Sequence, residues 1–270
     1  MAVNPPLDDV VGGQVLLEYQ GPLAIVTLSN PGKLNAITVS MWLALAELFH
    51  TLSEQTELRC VVLRGLDGNF AAGADISEFP RVRADLDGVM HYHQRVLAPA
   101  LNAIAACQHP VIAQIEGVCV GGGLEIASQC DLRIAGQSAR FGAPINRLGF
   151  PMAPDEMRGL LALAGRAVTL EILLEGRVFD ASEAMAKGLL TRVLPDDQLT
   201  ADVMRVADRL AQGAPLATRL NKKTIARLSL SEQPLSDYEY RDFFSYATSH
   251  DHHEGVQAFL AGRKPVFSGE

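Results

Sequence analysis

Two kinds of hydrophobic pattern alternate along the first half of the chain. Short runs rich in Val, Ile and Leu are typical of buried β-strands. Between them lie segments whose apolar residues recur every three or four positions, as on one face of an α-helix. The first two runs flank Gln20-Gly21-Pro22, which predicts a β-hairpin. The predicted strands are residues 14–19, 23–28, 58–63, 111–115 and 132–135.

Two helices are predicted between these strands. Thr38 is a suitable N-cap for the first, because its hydroxyl can accept a hydrogen bond from the first turn. The apolar positions that follow, spaced for one buried face, are Met41, Leu45, Leu48 and Leu52. A longer helical segment is predicted over residues 86–106. This alternation of strands and helices favours an α/β fold.

Beyond about residue 151 the pattern becomes almost wholly helical. The spacing of Leu199, Val203, Val206 and Leu210 predicts one helix. Further helices are predicted over residues 215–229, 236–247 and 252–262. We therefore divide the chain into an α/β core over residues 1–200 and a helical region over residues 201–270, which packs on the core or on a partner subunit.

Composition and charge narrow the class of protein. Of the 270 residues, 48% are hydrophobic and the formal net charge is −8. An acidic chain is a poor match for nucleic acid or an anionic membrane, which basic surfaces bind. No apolar run approaches the roughly 18 residues that a membrane span needs. The start of the chain has no charged and apolar leader, so a cytoplasmic protein is expected.

Cysteines and histidines offer weaker candidates for chemistry. Cys60, Cys107, Cys119 and Cys130 form no CxxC pair, and reduced, buried thiols are expected, with a nucleophilic Cys119 as the alternative. The spacing in His250-Asp-His-His-Glu254 does not align metal ligands on one helix face, so a polar linker is expected and no metal site.

Two glycine-bearing loops are the most informative features of the sequence. Gly121-Gly-Gly123 follows a predicted strand and opens a helical segment, although consecutive glycines disfavour both structures. A close approach of this backbone to a packed neighbour or to a ligand would compensate for the conformational entropy that the glycines lose on folding. The loop Asn69-Phe-Ala-Ala-Gly-Ala-Asp-Ile-Ser-Glu78 follows the neighbouring strand and also leaves N–H groups uncovered. Together the loops could hold one carbonyl oxygen between two N–H donors, as in an oxyanion hole.

These loops belong to a set of motifs that resembles the crotonase superfamily, the enoyl-CoA hydratases and isomerases. The resemblance begins at Asn30-Pro-Gly-Lys-Leu-Asn-Ala-Ile37 and includes Ala71-Ala-Gly-Ala-Asp-Ile76, the three glycines and Phe141-Gly-Ala-Pro144. It continues to Ala258-Phe259 and so covers nearly the whole chain. The resemblance implies a spiral core of ββα units, with C-terminal helices that assemble a homotrimer or a hexamer. It also implies an acyl-CoA thioester substrate, with coenzyme A as part of the substrate and no separate cofactor.

The resemblance also implies roles for individual residues. The oxyanion donors would be the backbone N–H groups of Ala74 and Gly122, and Glu125 would be the catalytic carboxyl that moves protons. The remaining residues would contact the CoA portion of the substrate. They are Lys33, Leu34, Ala72, Gly73, Asp75, Ile76 and Phe243.

The resemblance also places the helix after this loop near the acyl pocket. Either His91 or His93 could therefore line that pocket. The other candidates for its walls are Phe79, Val82, Met90 and Met152.

One departure from the family pattern leaves the reaction open. Hydratases of this family carry a second glutamate directly after a Gly-x-Pro motif, but here Ile145 stands at that position. Asp155 or Glu156, a little further along, could replace the missing acid or could merely cap a helix. Reversible hydration of a 2-enoyl-CoA is the leading expectation. Double-bond isomerisation by one carboxyl and non-catalytic binding of acyl-CoA are the alternatives.

Overall fold

A computed structural model describes residues 12–270 of the chain. The start of the sequence, from which no leader is expected, lies outside the described residues. Within them the strands form a six-stranded sheet in the order β1-β2-β3-β4-β6-β9 and a three-stranded sheet in the order β5-β7-β8. The strands are β1 (Gln14–Gln20), β2 (Leu23–Ser29), β3 (Cys60–Gly65), β4 (Val111–Ile115), β5 (Val118–Val120), β6 (Leu132–Gly136), β7 (Arg140–Gly142), β8 (Val178–Asp180) and β9 (Arg192–Leu194).

The helices are distributed between these strands and after them. They are α1 (Val39–Glu54), α2 (Phe79–Val82), α3 (Leu86–His91), α4 (Ala98–Ala106), α5 (Gly122–Gln129), α6 (Pro154–Glu175), α7 (Ala181–Ala186), α8 (Asp196–Ala211), α9 (Pro215–Leu230), α10 (Asp237–Phe243) and α11 (His250–Leu260). Shorter 3₁₀ segments cover Ile76–Glu78, Pro144–Leu148 and Phe244–Thr248, and a π-helix joins α3 to α4.

The larger sheet begins with an antiparallel hairpin and is otherwise parallel. Strands β1 and β2 pair antiparallel, whereas β2, β3, β4, β6 and β9 run parallel to one another. Strand β2 is buried along its whole length, as its mainly apolar sequence predicts for a strand covered on both faces. Helix α1 packs on one face through Trp42 and Phe49, while Leu199 and Val203 of α8 pack on the other.

The chain repeats one path as it moves across the sheet. Strand β4 leads to β5 and then α5, and β6 leads to β7 and then α6. After β3 the chain pairs with β5 at a single bridge between Ala71 and Cys119 before it enters α2. Each turn thus adds one strand to the larger sheet, a short strand or bridge to the smaller one, and a helix. The expected α/β fold of spiral ββα units with helices at the C-terminus is confirmed.

Several local predictions are confirmed and others are wrong. The hairpin and the strands after it form as expected, and the Thr38 hydroxyl caps α1 by accepting from the Met41 N–H at 3.3 Å. The predicted helix over 86–106 is interrupted by the π-helix Tyr92–Leu97. Pro99 accounts for the interruption, because it has no N–H for the regular helical hydrogen bond and its ring disfavours the preceding turn.

The C-terminal half is less uniformly helical than predicted. Strands β8 and β9 lie beyond residue 151, and each is only three residues long, too short for a periodic signal. The segment His250–Glu254 forms the start of α11 and is not a linker. The division at residue 200 stays a prediction, and that residue lies within α8, which packs on the sheet.

Candidate functional site

The three consecutive glycines lie where β5 turns into α5, and each has a structural reason. Gly121 adopts φ = +50°, a backbone conformation that side chains disfavour, and its N–H donates to the Gly142 carbonyl at 2.9 Å. A Cβ on Gly122 would lie 3.0 Å from Trp42 Cζ2, and one on Gly123 would overlap the Ala71 carbonyl oxygen. The close backbone approach expected from the sequence is therefore present at Gly122 and Gly123.

The second loop runs beside this turn and is fixed by backbone hydrogen bonds. The Ile37 N–H donates to the Gly73 carbonyl at 2.7 Å, and the Asp75 N–H donates to the Ile37 carbonyl at 2.8 Å. Successive N–H groups of an extended segment point to opposite sides. The Ala74 N–H therefore points away from Ile37 and towards the glycine turn.

The two loops bring the N–H groups of Ala74 and Gly122 together. An ideal Cβ built on Gly122 lies 3.3 Å from the Ala74 nitrogen, and one built on Gly73 lies 3.4 Å from the Gly122 nitrogen. Among the residues from 12 onwards, neither N–H is engaged in a hydrogen bond. Gly122 is also the first residue of α5, where the helix dipole favours a negative group. This arrangement can hold one developing oxyanion between two donors.

A cavity of about 120 Å³ opens at these two N–H groups. A second cavity of about 650 Å³ adjoins it and shares four lining residues with it: Ile76, Phe79, Arg83 and Phe150. The smaller cavity is lined by Ala72, Gly73, Ala74, Ile76, Phe79, Arg83, Leu97, Val120, Gly121, Gly122, Glu125, Pro144, Ile145, Leu148, Phe150 and Glu156. Two buried carboxyl groups and two free N–H groups thus face one small space.

Glu125 projects into the smaller cavity from the first turn of α5. Its side chain is almost inaccessible, with 4% of the residue exposed. Burial raises its pKa well above the ordinary value, the neighbouring Glu156 carboxylate raises it further, and the Arg83 guanidinium opposes the rise. A carboxyl group in this environment holds a proton where an exposed one is ionised, and so it can act as an acid.

Glu156 reaches the same cavity, whereas Asp155 does not. Glu156 is 3% exposed and is hydrogen-bonded to His93 Nδ1. The Asp155 side chain is 45% exposed and pairs with Arg158 Nε at 3.1 Å, outside the cavity. Neither side chain caps α6, whose N-cap is Ala153. Ile145, which stands where the family carries its second acid, contributes an apolar wall.

Most of the residues expected to contact CoA lie together beside the two loops. Lys33 Nζ donates to Asp75 Oδ2 at 2.7 Å and to Ser77 Oγ at 3.1 Å. Burial tends to raise the pKa of Asp75, but the hydrogen bonds from Lys33 and Ser77 outweigh it and lower that pKa. Leu34 is half exposed, and its carbonyl accepts from the Ala72 N–H at 3.0 Å.

Phe243 lies elsewhere in this chain. It lines a cavity of about 590 Å³ between the C-terminal helices, together with Leu220 and Phe259, and not the cavity at Gly122. Of the residues expected to shape the acyl pocket, Phe79 and Met152 line the adjoining cavities, whereas Val82 and Met90 line neither.

Sequence reasoning missed one charged residue of the site. Arg83 lines both adjoining cavities, although its sequence neighbourhood, with Arg81 two positions earlier, is typical of a solvated surface. His93, one of two histidine candidates, lies at the site through its bond to Glu156, whereas His91 is exposed. Only the three-dimensional packing of α2 against the π-helix distinguishes these residues from their neighbours.

Cysteine and metal chemistry gain no support from the structure. All four cysteines are buried and free, and burial raises the pKa of the Cys119 thiol well above its ordinary value. A thiol held in its protonated form is a poor nucleophile. Within the described range, no group of three or more His, Cys, Asp or Glu residues is placed to hold a metal ion. No helix between residues 12 and 270 combines the length and apolarity needed to cross a bilayer.

Comparison with known proteins identifies the family. The enoyl-CoA hydratase/isomerase family model matches residues 18–270. A crystal structure of an enoyl-CoA hydratase/carnitine racemase from Magnetospirillum magneticum has a TM-score of 0.92 and 45% identity, covering 95% of this chain and 96% of the other. A family protein from Hyphomonas neptunium has a TM-score of 0.90 and 35% identity, with coverage of 95% and 98%. A protein of Mycobacterium tuberculosis named as an enoyl-CoA hydratase is 33% identical over 94% of this chain and 97% of its own length. The chain therefore belongs to the enoyl-CoA hydratase/isomerase family.

Proposed function

We propose that this protein catalyses the reversible addition of water to a 2-enoyl-CoA thioester through an enolate intermediate. One observation carries the proposal: the buried carboxyl groups of Glu125 and Glu156 face the same small cavity as the free N–H groups of Ala74 and Gly122. Hydration needs this set, because a proton must leave water, another must reach Cα, and negative charge must rest on the thioester oxygen between them.

The two carboxyl groups have different roles in the proposed reaction. Glu156, oriented by its hydrogen bond to His93, takes a proton from water as the oxygen attacks Cβ. The electrons of the double bond move to the thioester oxygen, which the N–H groups of Ala74 and Gly122 stabilise. Glu125, which burial keeps protonated, then delivers its proton to Cα as the carbonyl re-forms. Proton exchange with solvent returns Glu156 and Glu125 to their starting forms.

The CoA portion of the substrate is proposed to lie against the loop that contains Lys33, Leu34 and residues 72–76. The Lys33 side chain is half exposed, and its Nζ keeps one N–H donor beyond those bonded to Asp75 and Ser77, which suits a phosphate of CoA. Phe243 lies away from this loop in the same chain, so its contact with CoA stays a prediction. Because CoA arrives with the substrate, no separate cofactor is proposed.

A homotrimer or hexamer is proposed for the assembled protein, in a cytoplasmic location. The C-terminal helices leave large apolar side chains exposed, which supports burial against another copy of the chain. These side chains are Ile225, Leu228, Leu230, Phe259 and Leu260. The net charge of −8 supports neither nucleic acid nor anionic membrane as a partner.

The proposal is tested by measuring turnover of 2-enoyl-CoA thioesters of several chain lengths, with products identified by mass. Glu125→Gln and Glu156→Gln should each lower kcat by about 10²–10⁴-fold, the usual contribution of a positioned acid or base. Asp155→Asn is the matched control, because it removes an exposed carboxylate adjacent to Glu156, and it should retain wild-type turnover. Full hydration by Glu156→Gln would exclude Glu156 from the mechanism.

Isomerisation of the double bond is the second candidate function. The apolar Ile145 at the position of the family's second acid favours it, because one carboxyl suffices to move a proton between Cα and Cγ. Exchange of the Cα proton with deuterium, without addition of water, would support isomerisation. Tight binding of the thioesters with neither exchange nor hydration would instead indicate a non-catalytic binder of acyl-CoA.

A further inference from the structure

Arg83 occupies an unusual position at the boundary between the two adjoining cavities. It follows α2 and lines both the cavity that contains the carboxyl groups and the larger one beyond it. Its guanidinium carbon lies 3.8 Å from the ring centroid of Phe79, 4.4 Å from that of Tyr92 and 4.9 Å from that of Phe150. Three aromatic rings thus hold one cation at the wall through which an acyl chain would pass.

Arg83 forms no ion pair within 4 Å among residues 12–270, although its charge acts to lower the pKa of Glu125 in the smaller cavity. Its Nε is buried and has no hydrogen-bond partner. The guanidinium is within hydrogen-bond reach of the Tyr92 hydroxyl. One phenol oxygen can accept from only some of the five N–H donors of the guanidinium. Arg81 provides the contrast: it is 73% exposed and pairs with Glu78 at 3.4 Å, as a surface arginine does. Holding a cation with spare donors inside a pocket costs free energy unless a ligand completes its partners.

The rest of the larger cavity is mainly apolar. Apart from Arg83 and His93, its lining residues are apolar, among them Val89, Pro151 and Met152. An acyl chain that ends in a methyl group would bury the cation against hydrocarbon and remove its water. A carboxylate at the end of the chain would instead form a charge-assisted pair with the guanidinium, for which its planar donors are suited.

We propose that Arg83 binds a free carboxylate at the far end of the acyl group, so that the preferred substrates are CoA thioesters of unsaturated dicarboxylic acids. This inference rests on the proposed function, because it assigns the acyl chain that the cavity at Gly122 and Glu125 accepts. Arg83 is a specificity-determining residue in this account. The aromatic rings fix its guanidinium in place, so little conformational freedom is lost when the carboxylate binds.

The test compares three substrates with the same six-carbon acyl chain. They are hex-2-enoyl-CoA, its analogue in which carbon 6 is a carboxylate, and the methyl ester of that analogue. The wild-type protein should favour the carboxylate over the other two by at least about tenfold in kcat/KM, as expected for a charge-assisted pair. Arg83→Met should reduce that ratio about tenfold or more, and Arg83→Lys should keep part of it. Arg81→Met is the matched control and should leave the ratio unchanged. Equal ratios in wild type and Arg83→Met would overturn the inference.

Binding measurements separate this inference from the proposed reaction. Calorimetry with the saturated thioesters hexanoyl-CoA and adipoyl-CoA needs no turnover. A preference for adipoyl-CoA that Arg83→Met removes supports the role of Arg83 even if no substrate is hydrated, in which case only the proposed reaction fails. Equal affinity for the two thioesters overturns the role of Arg83, whatever the turnover. Turnover of any probe by Arg83→Met, or a wild-type melting temperature, confirms that the variant folds.

Discussion

The close approach of the two glycine-bearing loops makes a sharp prediction for Gly122→Ala. The added methyl group would lie 3.0 Å from Trp42 Cζ2 and 3.3 Å from the Ala74 nitrogen. Carbon atoms pack comfortably at about 3.5–4.0 Å, so one neighbour must move by about half an ångström. Trp42 lies on α1, is fully buried in the core and resists displacement. The strain therefore falls largely on the backbone of Ala74, and the two donors separate.

The magnitude follows from the value of one oxyanion donor. Removing such a donor costs about 2.7–4 kcal/mol of transition-state stabilisation, or roughly 10²–10³-fold in kcat. A partial displacement should cost about 100-fold, because alignment of the reacting groups is as demanding as their presence. KM should change by less than about threefold, since the loop at Lys33 that is proposed to contact CoA is untouched.

Steady-state kinetics on a 2-enoyl-CoA measure both parameters. Gly213→Ala is the matched control, because its methyl group would make only ordinary contacts, with the Leu210 carbonyl at 3.4 Å and Thr218 Oγ1 at 3.9 Å, in the turn between α8 and α9. Melting temperatures check that Gly122→Ala remains folded, since overpacking alone can cost about 1–3 kcal/mol of stability. A folded Gly122→Ala with wild-type kcat would refute the assignment of these N–H groups as the oxyanion hole.

Three further predictions concern titrating and positioning groups. Because the pKa of Glu125 is raised, the folded state retains a proton that the unfolded chain releases above about pH 4.5, so this group disfavours folding increasingly as pH rises. Glu125→Gln should therefore exceed the wild type in melting temperature more at pH 8 than at pH 4.5, and a constant difference would contradict the raised pKa. His93→Leu should lower kcat by about 10-fold or more by releasing Glu156 and should alter the pH profile of kcat/KM. His93→Asn, whose side-chain amide can donate from near the position of Nδ1, should restore most of the activity. A change in KM without a change in kcat for His93→Leu would contradict a positioning role. Burial lowers the pKa of His109 from 6.5 to about 4, because the buried ring disfavours the charged form. Below pH 6.5 the unfolded chain therefore binds a proton that the folded protein does not, and the free energy of unfolding decreases as pH falls towards 4. Urea unfolding should show about 2 kcal/mol less stability from this group at pH 5 than at pH 7.5, a difference that His109→Gln should reduce.

The parts of the fold that were predictable are those in which local pattern and tertiary environment agree. Strand β2 is apolar at nearly every position and is buried on both faces, and α1 has a cap and one apolar stripe. Strands β5, β7, β8 and β9 are each three residues long, and the larger structure around them determines their conformation. The interruption at Tyr92–Leu97 depends on how one proline affects a long helix, which hydrophobic periodicity does not register.

The candidate site divides in the same way. Glycine is needed at residues 121–123 because of local backbone geometry and close contacts, and such requirements leave a mark in the sequence. The choice between Asp155 and Glu156 depends on which side of α6 faces the cavity, so adjacent carboxylates of equal chemistry differ only in three dimensions. Arg83 has no sequence signal at all, because its role arises from rings contributed by α2, the π-helix and the segment after residue 148.

Incorporation of oxygen-18 from water distinguishes hydration from the other reactions open to this site. The protein is incubated with hex-2-enoyl-CoA and with its ω-carboxylate analogue in water enriched in oxygen-18, and the products are measured by mass spectrometry. Hydration yields a 3-hydroxyacyl-CoA that carries one oxygen-18 atom, and its formation should be strongly reduced in Glu125→Gln and in Glu156→Gln. Thioesters that bind and are recovered without the heavy oxygen would contradict hydration as the reaction of this site.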